Sequence, residues 1–132
     1  LLDWKEKIYS NGALIVDSND LPGHTTALDY SSQHGLDLNQ LRTKISTTMG
    51  NLTKRLLDLG VEATLMITGG DTLLGFMQQI DTHHLTPICE VLPGVVLSST
   101  HYAGKQYYVI SKSGGFGGDN LIADLRTYIS NK

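Results

Sequence analysis

Cysteine is nearly absent. The single thiol, Cys89, permits no disulfide within the chain, so a reducing, cytoplasmic compartment is the default expectation. Long hydrophobic runs are missing too. The longest apolar stretches fall far short of a membrane span. No basic segment followed by an apolar one opens the chain as a secretory signal does. Basic charge is not in excess: the formal net charge is −3, with acids and bases interspersed. That argues against a nucleic-acid-binding face, but it does not exclude a bound anion, which a few backbone N–H groups can hold. Internal repeats and low-complexity tracts are absent. Two familiar phosphate signatures are also lacking. Nothing matches the P-loop pattern, and Gly115-Phe116-Gly117 is followed at the third glycine position of the dinucleotide fingerprint by Asn120. No initiator methionine precedes Leu1, and the sequence reads as a piece of something larger.

What is present favours one domain over residues 1–132, long enough to bury its own core. Leu1 to Tyr9 reads as a short helix stopped at Asn11-Gly12. Ala13-Leu14-Ile15-Val16 reads as a buried strand, and Asp29 to Asp37 as a surface loop. Leu38, Leu41, Ile45, Met49, Leu52, Leu56 and Leu59 recur at steps of three and four, which predicts a long amphipathic helix ended by Gly60. Ala63 to Ile67 is the next strand. After Gly69-Gly70, Leu73, Phe76, Met77 and Ile80 form a second helical stripe. Ile88 to Leu92 is a strand stopped by Pro93-Gly94. Val95 to Tyr102 and Gln106 to Ser111 flank Ala103-Gly104-Lys105 as a hairpin. Leu121, Ile122, Leu125, Tyr128 and Ile129 mark a last helix, with Asp119 or Asn120 as its cap. The expected fold class is α/β: a layered mixed sheet flanked by helices, with parallel pairing in the first half and a hairpin in the second.

Glycine is plentiful, at 14 residues, and two clusters of it follow apolar runs. These are Thr68-Gly69-Gly70-Asp71-Thr72 and Ser113-Gly114-Gly115-Phe116-Gly117-Gly118-Asp119. A strand that turns through glycines into a helix leaves no Cβ in the way of a ligand. The unpaired N–H groups of the first helical turn then favour an anion. Successive N–H groups in the second cluster can form an anion-binding nest. A bare tight turn explains one such cluster as well, and the local pattern alone does not decide between the two readings.

Three motifs occur together in order: Ile67-Thr68-Gly69-Gly70-Asp71-Thr72, Leu92-Pro93-Gly94-Val95, and Ile110-Ser111-Lys112-Ser113-Gly114-Gly115-Phe116-Gly117. From about residue 10 onward the chain resembles the C-terminal nucleotide-binding domain of the four-carbon acid sugar kinase family, long known only as a domain of unknown function. The resemblance implies ATP and Mg²⁺ as cofactors. It implies nucleotide contacts at Gly69, Gly70, Asp71 and Thr72, and again at Gly114, Gly115 and Gly117. The implied partner is an N-terminal acid-sugar-binding domain of the same protein. The implied reaction is phosphorylation of threonate, erythronate or 3-oxo-tetronate by the full-length protein, this domain being inactive alone. The family's domain opens with a strand and a Ser/Gly-rich turn that also contacts ATP. That turn is not found ahead of Leu1, and no residue here is assigned as the catalytic base.

Other residues read as structural. His83-His84 near Cys89-Glu90 fits no common zinc spacing, so no metal site is expected. Cys89 is expected to be buried and inert. Asn51-Leu52-Thr53 matches a glycosylation sequon but lies on the long helix. Trp4, Tyr107 and Tyr108 read as packing residues rather than an adenine platform, although one of them could stack on the base. Lys112 reads equally as a phosphate contact and as a solvated strand-end lysine. Two other readings stand beside the kinase: a non-catalytic nucleotide- or phosphate-binding module, and a structural domain whose glycines are turns. The oligomeric state is open, a homo-oligomer included.

Overall fold

The computed structural model describes residues 1–131. In chain order the elements are α1 (Leu2–Asn11), α2 (Ala27–Gln33), α3 (Leu38–Asp58), β1 (Leu65–Thr68), α4 (Gly70–Gln79), β2 (Thr86–Leu92), β3 (Val95–Tyr102), β4 (Lys105–Lys112) and α5 (Leu121–Ser130). The expected α/β class holds, with one four-stranded mixed sheet in the order β1-β4-β3-β2.

Local chemistry sets the helix ends. Asp37 and Gln40 form a reciprocal capping box at the start of α3. At its end Gly60 takes a φ of 78°. Gly60 N–H then donates to Leu57 O and Val61 N–H to Leu56 O, the paired bonds that satisfy a helix's last carbonyls. The hairpin turn Ala103-Gly104 has both residues at positive φ. That geometry matches the twist of the flanking strands.

The sheet buries both faces by alternation. Ile67, Tyr107 and Val109 face one way and pack with Leu57 of α3 and Phe76 and Ile80 of α4. Val95 and Ile110 face the other way, against Leu121 and Leu125 of α5. Consecutive residues Val109 and Ile110 are both fully buried, as a central strand covered on both faces requires. Helices α3 and α4 lie so close that a Cβ on Gly75 would sit 2.3 Å from Ser46 O, and one on Gly50 would sit 2.4 Å from Gly75 O.

Four local expectations are corrected. Ala13 to Val16 is not a strand: it runs as irregular chain, with Ile15 69% exposed. Its apolar pattern finds no ladder, because β1 pairs with β4 alone among the described residues. The parallel pair therefore joins β1 to the last strand, and the hairpin of the second half sits beside it. Within Asp29 to Asp37, α2 forms instead of continuous loop. Thr26 and Asp29 supply a capping box, and Asp20 accepts the Ala27 N–H at 2.8 Å. Cys89 is exposed rather than buried, because it lies on the edge strand β2. Its Sγ is 3.8 Å from the Tyr128 hydroxyl. Tyr107 packs in the core as expected, whereas Tyr108 is 45% exposed.

Asp58 ties α3 to β3. Its carboxylate meets Lys54 Nζ at 2.7 Å and accepts from the Tyr102 hydroxyl at 2.7 Å. The Lys54 hydrogen bond first, and the Tyr102 bond second, hold its carboxyl below the usual aspartate range. A carboxyl depressed in the folded state adds stability above its unfolded pKa, near 4, and loses it as pH falls through the lower folded value. Urea midpoints measured from pH 7 down to pH 2 are therefore expected to fall less in Asp58→Asn than in the wild type. The effect is small because the pair is exposed.

Candidate functional site

β1 and β4 are adjacent and parallel, with Thr68 beside Lys112 at their carboxyl ends. The chain leaves β1 into α4 on one face of the sheet and leaves β4 toward α5 on the other. Neighbouring parallel strands whose next helices go to opposite faces leave a crevice between the two loops. Open α/β sheets bind ligands in such a crevice.

Both glycine clusters lie there. Gly69 N–H donates to Lys112 O at 3.1 Å, which joins the two loops at their roots. The Pro93-Gly94 turn joins them, since Ser113 N–H donates to Gly94 O at 3.4 Å. A Cβ on Gly94 would come within 2.4 Å of the Phe116 ring. Gly94 itself has a φ of 74° and donates its N–H to Glu90 Oε1 at 2.9 Å. The three motifs, far apart in sequence, thus meet at one end of the sheet.

The first cluster opens α4. Gly69 occupies the cap position at a φ of 92° and offers no side-chain cap. The N–H groups of Gly70, Asp71 and Thr72 open the helix and have no intrahelical acceptor. Asp71 is exposed in that first turn, and Thr72 is half-buried behind it. In the second cluster Gly114, Gly115 and Gly117 are all exposed. Gly117 has a φ of 101°, and a Cβ on it would strike Leu121 at 2.5 Å. Asn120 takes the cap position of α5 but makes no side-chain cap bond.

The glycines fall into two groups. Gly69 and Gly117 need their backbone freedom for the turn itself. Gly70, Gly114 and Gly115 do not. None has a positive φ, and a Cβ on any of them would meet nothing within 4 Å. Within the chain, nothing explains why these positions lack a side chain.

Two concavities of about 460 and 530 Å³ lie elsewhere. One is bordered by Glu62, Lys105 and Tyr108, the other by Asp37, Lys44 and Thr48 along α3. Neither touches a glycine loop. Among the described residues, no group of three His, Cys, Asp or Glu side chains is placed to hold a metal.

A family model described as the nucleotide-binding C-terminal domain matches residues 1–122. The chain belongs to this family. Among solved structures it is similar to a domain of unknown function (DUF1537) from Bordetella bronchiseptica, a domain-swapped dimer with bound citrate. That likeness has a TM-score of 0.59 at 22% identity and covers 96% of this chain and 28% of that one. A second crystal form of the same protein gives 0.55 at 21% identity, covering 97% and 30%. The nucleotide-binding C-terminal domain described here therefore spans under a third of the length of those chains. No curated protein matches the sequence. Among the described residues no helix is long and apolar enough to cross a membrane.

In the sequence Lys112 reads equally as a phosphate contact and as a solvated strand-end lysine. Its place between the loops depends on the β1–β4 register, which no local pattern encodes.

Proposed function

We propose that this chain is the ATP-binding domain of a two-domain kinase that phosphorylates four-carbon acid sugars, and that it works in the cytoplasm. The observation that carries the reading is the set of glycines Gly70, Gly114 and Gly115, whose missing side chains neither backbone strain nor packing requires. All three border the crevice between β1 and β4. A polyphosphate fits this environment. The first-turn N–H groups of α4 and the glycines of the second loop offer donors, and a helix N-terminus favours negative charge.

In this reading Gly69 and Gly70 turn the chain so that the first-turn N–H groups meet phosphate oxygens, and Thr72 adds a hydroxyl donor. Gly114 and Gly115 close on the opposite side, and Gly117 carries the loop into α5. Bound ATP supplies the phosphoryl group. Mg²⁺ keeps much of its shell as water and phosphate oxygens and needs only one or two carboxylates. The donor set fits that limit: Asp71 stands exposed at the loop, without the three-residue cluster of an all-protein site. Phosphoryl transfer is chiefly positioning and charge stabilisation. One domain can therefore hold the donor while an N-terminal acid-sugar-binding domain presents the acceptor hydroxyl and excludes water on closing. Alone, this domain binds the donor without transferring it.

Thermal melts test the binding half. At Mg-ATP concentrations about 100 times Kd the native state gains about 2.7 kcal/mol, so Tm rises by several degrees. An unchanged Tm at millimolar Mg-ATP would leave the glycines as turns and end the nucleotide reading. A Tm rise, followed by no phosphoryl transfer from the complete protein to any of threonate, erythronate and 3-oxo-tetronate, would leave a non-catalytic binding module.

A further inference from the structure

Lys112 is the one basic residue in the three motifs. It ends β4 beside Thr68, and its carbonyl accepts the Gly69 N–H at 3.1 Å. Its side chain holds the other loop. Nζ donates to the carbonyls of Ser113 and Gly114, each at 3.1 Å. The stem passes close to Gly117, where a Cβ would come within 3.3 Å of Cε. One residue therefore contacts the first loop with its main chain and the second with its ammonium, alongside the Phe116 N–H, which donates to the same Ser113 carbonyl at 3.3 Å.

The two carbonyl contacts determine a direction. In a trans peptide, the C=O of one residue and the N–H of the next point to opposite sides, and no cis peptide is present. The peptides that carry the Ser113 and Gly114 carbonyls also carry the Gly114 and Gly115 N–H groups. With both carbonyls drawn toward the ammonium, both N–H groups are turned away from it. Neither donates to another group among the described residues, and both glycines are exposed. Two successive unpaired amides directed away from one anchor make half of an anion nest.

We infer that Lys112 is the positioning residue of this site: its ammonium sets the Gly114 and Gly115 N–H groups for an anionic ligand, while its main chain registers that loop against Gly69. The identity of the anion as a nucleotide polyphosphate rests on the function proposed above. The orientation of the two amides does not. Two of the three ammonium donors are already committed to carbonyls, so the residue acts first on its own loop.

Lys112→Met tests this, because it keeps the stem and removes the donors. With the intact protein labelled with ¹⁵N-glycine and free of nucleotide, order parameters of the Gly114 and Gly115 amides are expected to fall from near 0.85 to below about 0.6. The Gly50 and Gly75 signals, deep between α3 and α4, should not change. By calorimetry, ATP affinity is expected to fall tenfold or more while adenosine affinity stays within twofold. Lys112→Arg, which keeps charge and donors, should recover part of the ATP affinity. Unchanged Gly114 and Gly115 order in Lys112→Met overturns the inference whatever the binding does. Loosened amides with ATP affinity within twofold of wild type overturn the role toward the ligand. If the wild type binds no ATP, the nucleotide reading fails, and the amide measurement still decides the orientation. Lys112→Gln repeats the series should the Met variant fail to fold.

Discussion

Gly75→Ala is expected to lower folding stability by about 3 kcal/mol, although glycine to alanine within an open helix usually gains about 0.5–1 kcal/mol. The sign reverses because of where Gly75 lies. A Cβ there would stand 2.3 Å from Ser46 O and 2.7 Å from Ser46 C. Those atoms are helix backbone, so no side-chain rotamer can relieve the contact, and α3 and α4 must separate. That separation would open the interface that packs Leu57 against Phe76 and Ile80, where lost contacts and new voids both destabilise. Gly50→Ala should act in the same direction, since its Cβ would meet Gly75 O at 2.4 Å. Urea denaturation gives the measurement: the midpoint should drop with the slope unchanged. A Gly75→Ala midpoint at or above the wild type would mean that the two helices do not cross this closely.

Gly70→Val is expected to abolish the Mg-ATP-dependent rise in Tm while leaving the ligand-free protein within about 0.5 kcal/mol of wild type. Gly70 is the first residue of α4, with no positive φ and open space around its missing Cβ. Helical Cα–Cβ bonds tilt toward the N-terminus, so the valine methyl groups would project into the space in front of the first-turn N–H groups. The protein does not use that space, and in the proposed function the phosphates do. Ligand-free stability and ligand response should therefore separate cleanly. Lost ligand response together with a large loss of ligand-free stability would show that Gly70 serves the fold. A retained response would place the nucleotide elsewhere.

These variants also mark how much could be read before the fold was known. Amphipathic periodicity identified α3, and its stop at Gly60 was legible, because helix ends are satisfied by neighbours in sequence. The strand–glycine–helix unit at β1 and α4 and the β3–β4 hairpin were legible for the same reason. Ala13 to Val16 misled. Its β-branched and aliphatic pattern is that of a strand, but a strand exists only with a partner, and the β1–β4 pairing leaves this run without one. The α2 helix was missed although Thr26 and Asp29 form a capping box. Only a short polar helix follows it, too brief to show an apolar stripe. Cys89 was misplaced because apolar neighbours do not reveal that a strand is at the sheet's edge.

By itself, the sequence determined the order of most elements, the two glycine turns and the family resemblance, all of which are carried by residues close together along the chain. Tertiary structure decided what depends on register and on opposite faces. It set β1 beside β4, sent α4 and α5 to opposite sides, and brought Lys112 between the two loops. It also separated glycines that the chain's own turns require from those that neither backbone conformation nor packing requires. Side-chain chemistry is written residue by residue, whereas the crevice is a relation between two strand ends more than forty positions apart, and only pairing and packing bring those ends together.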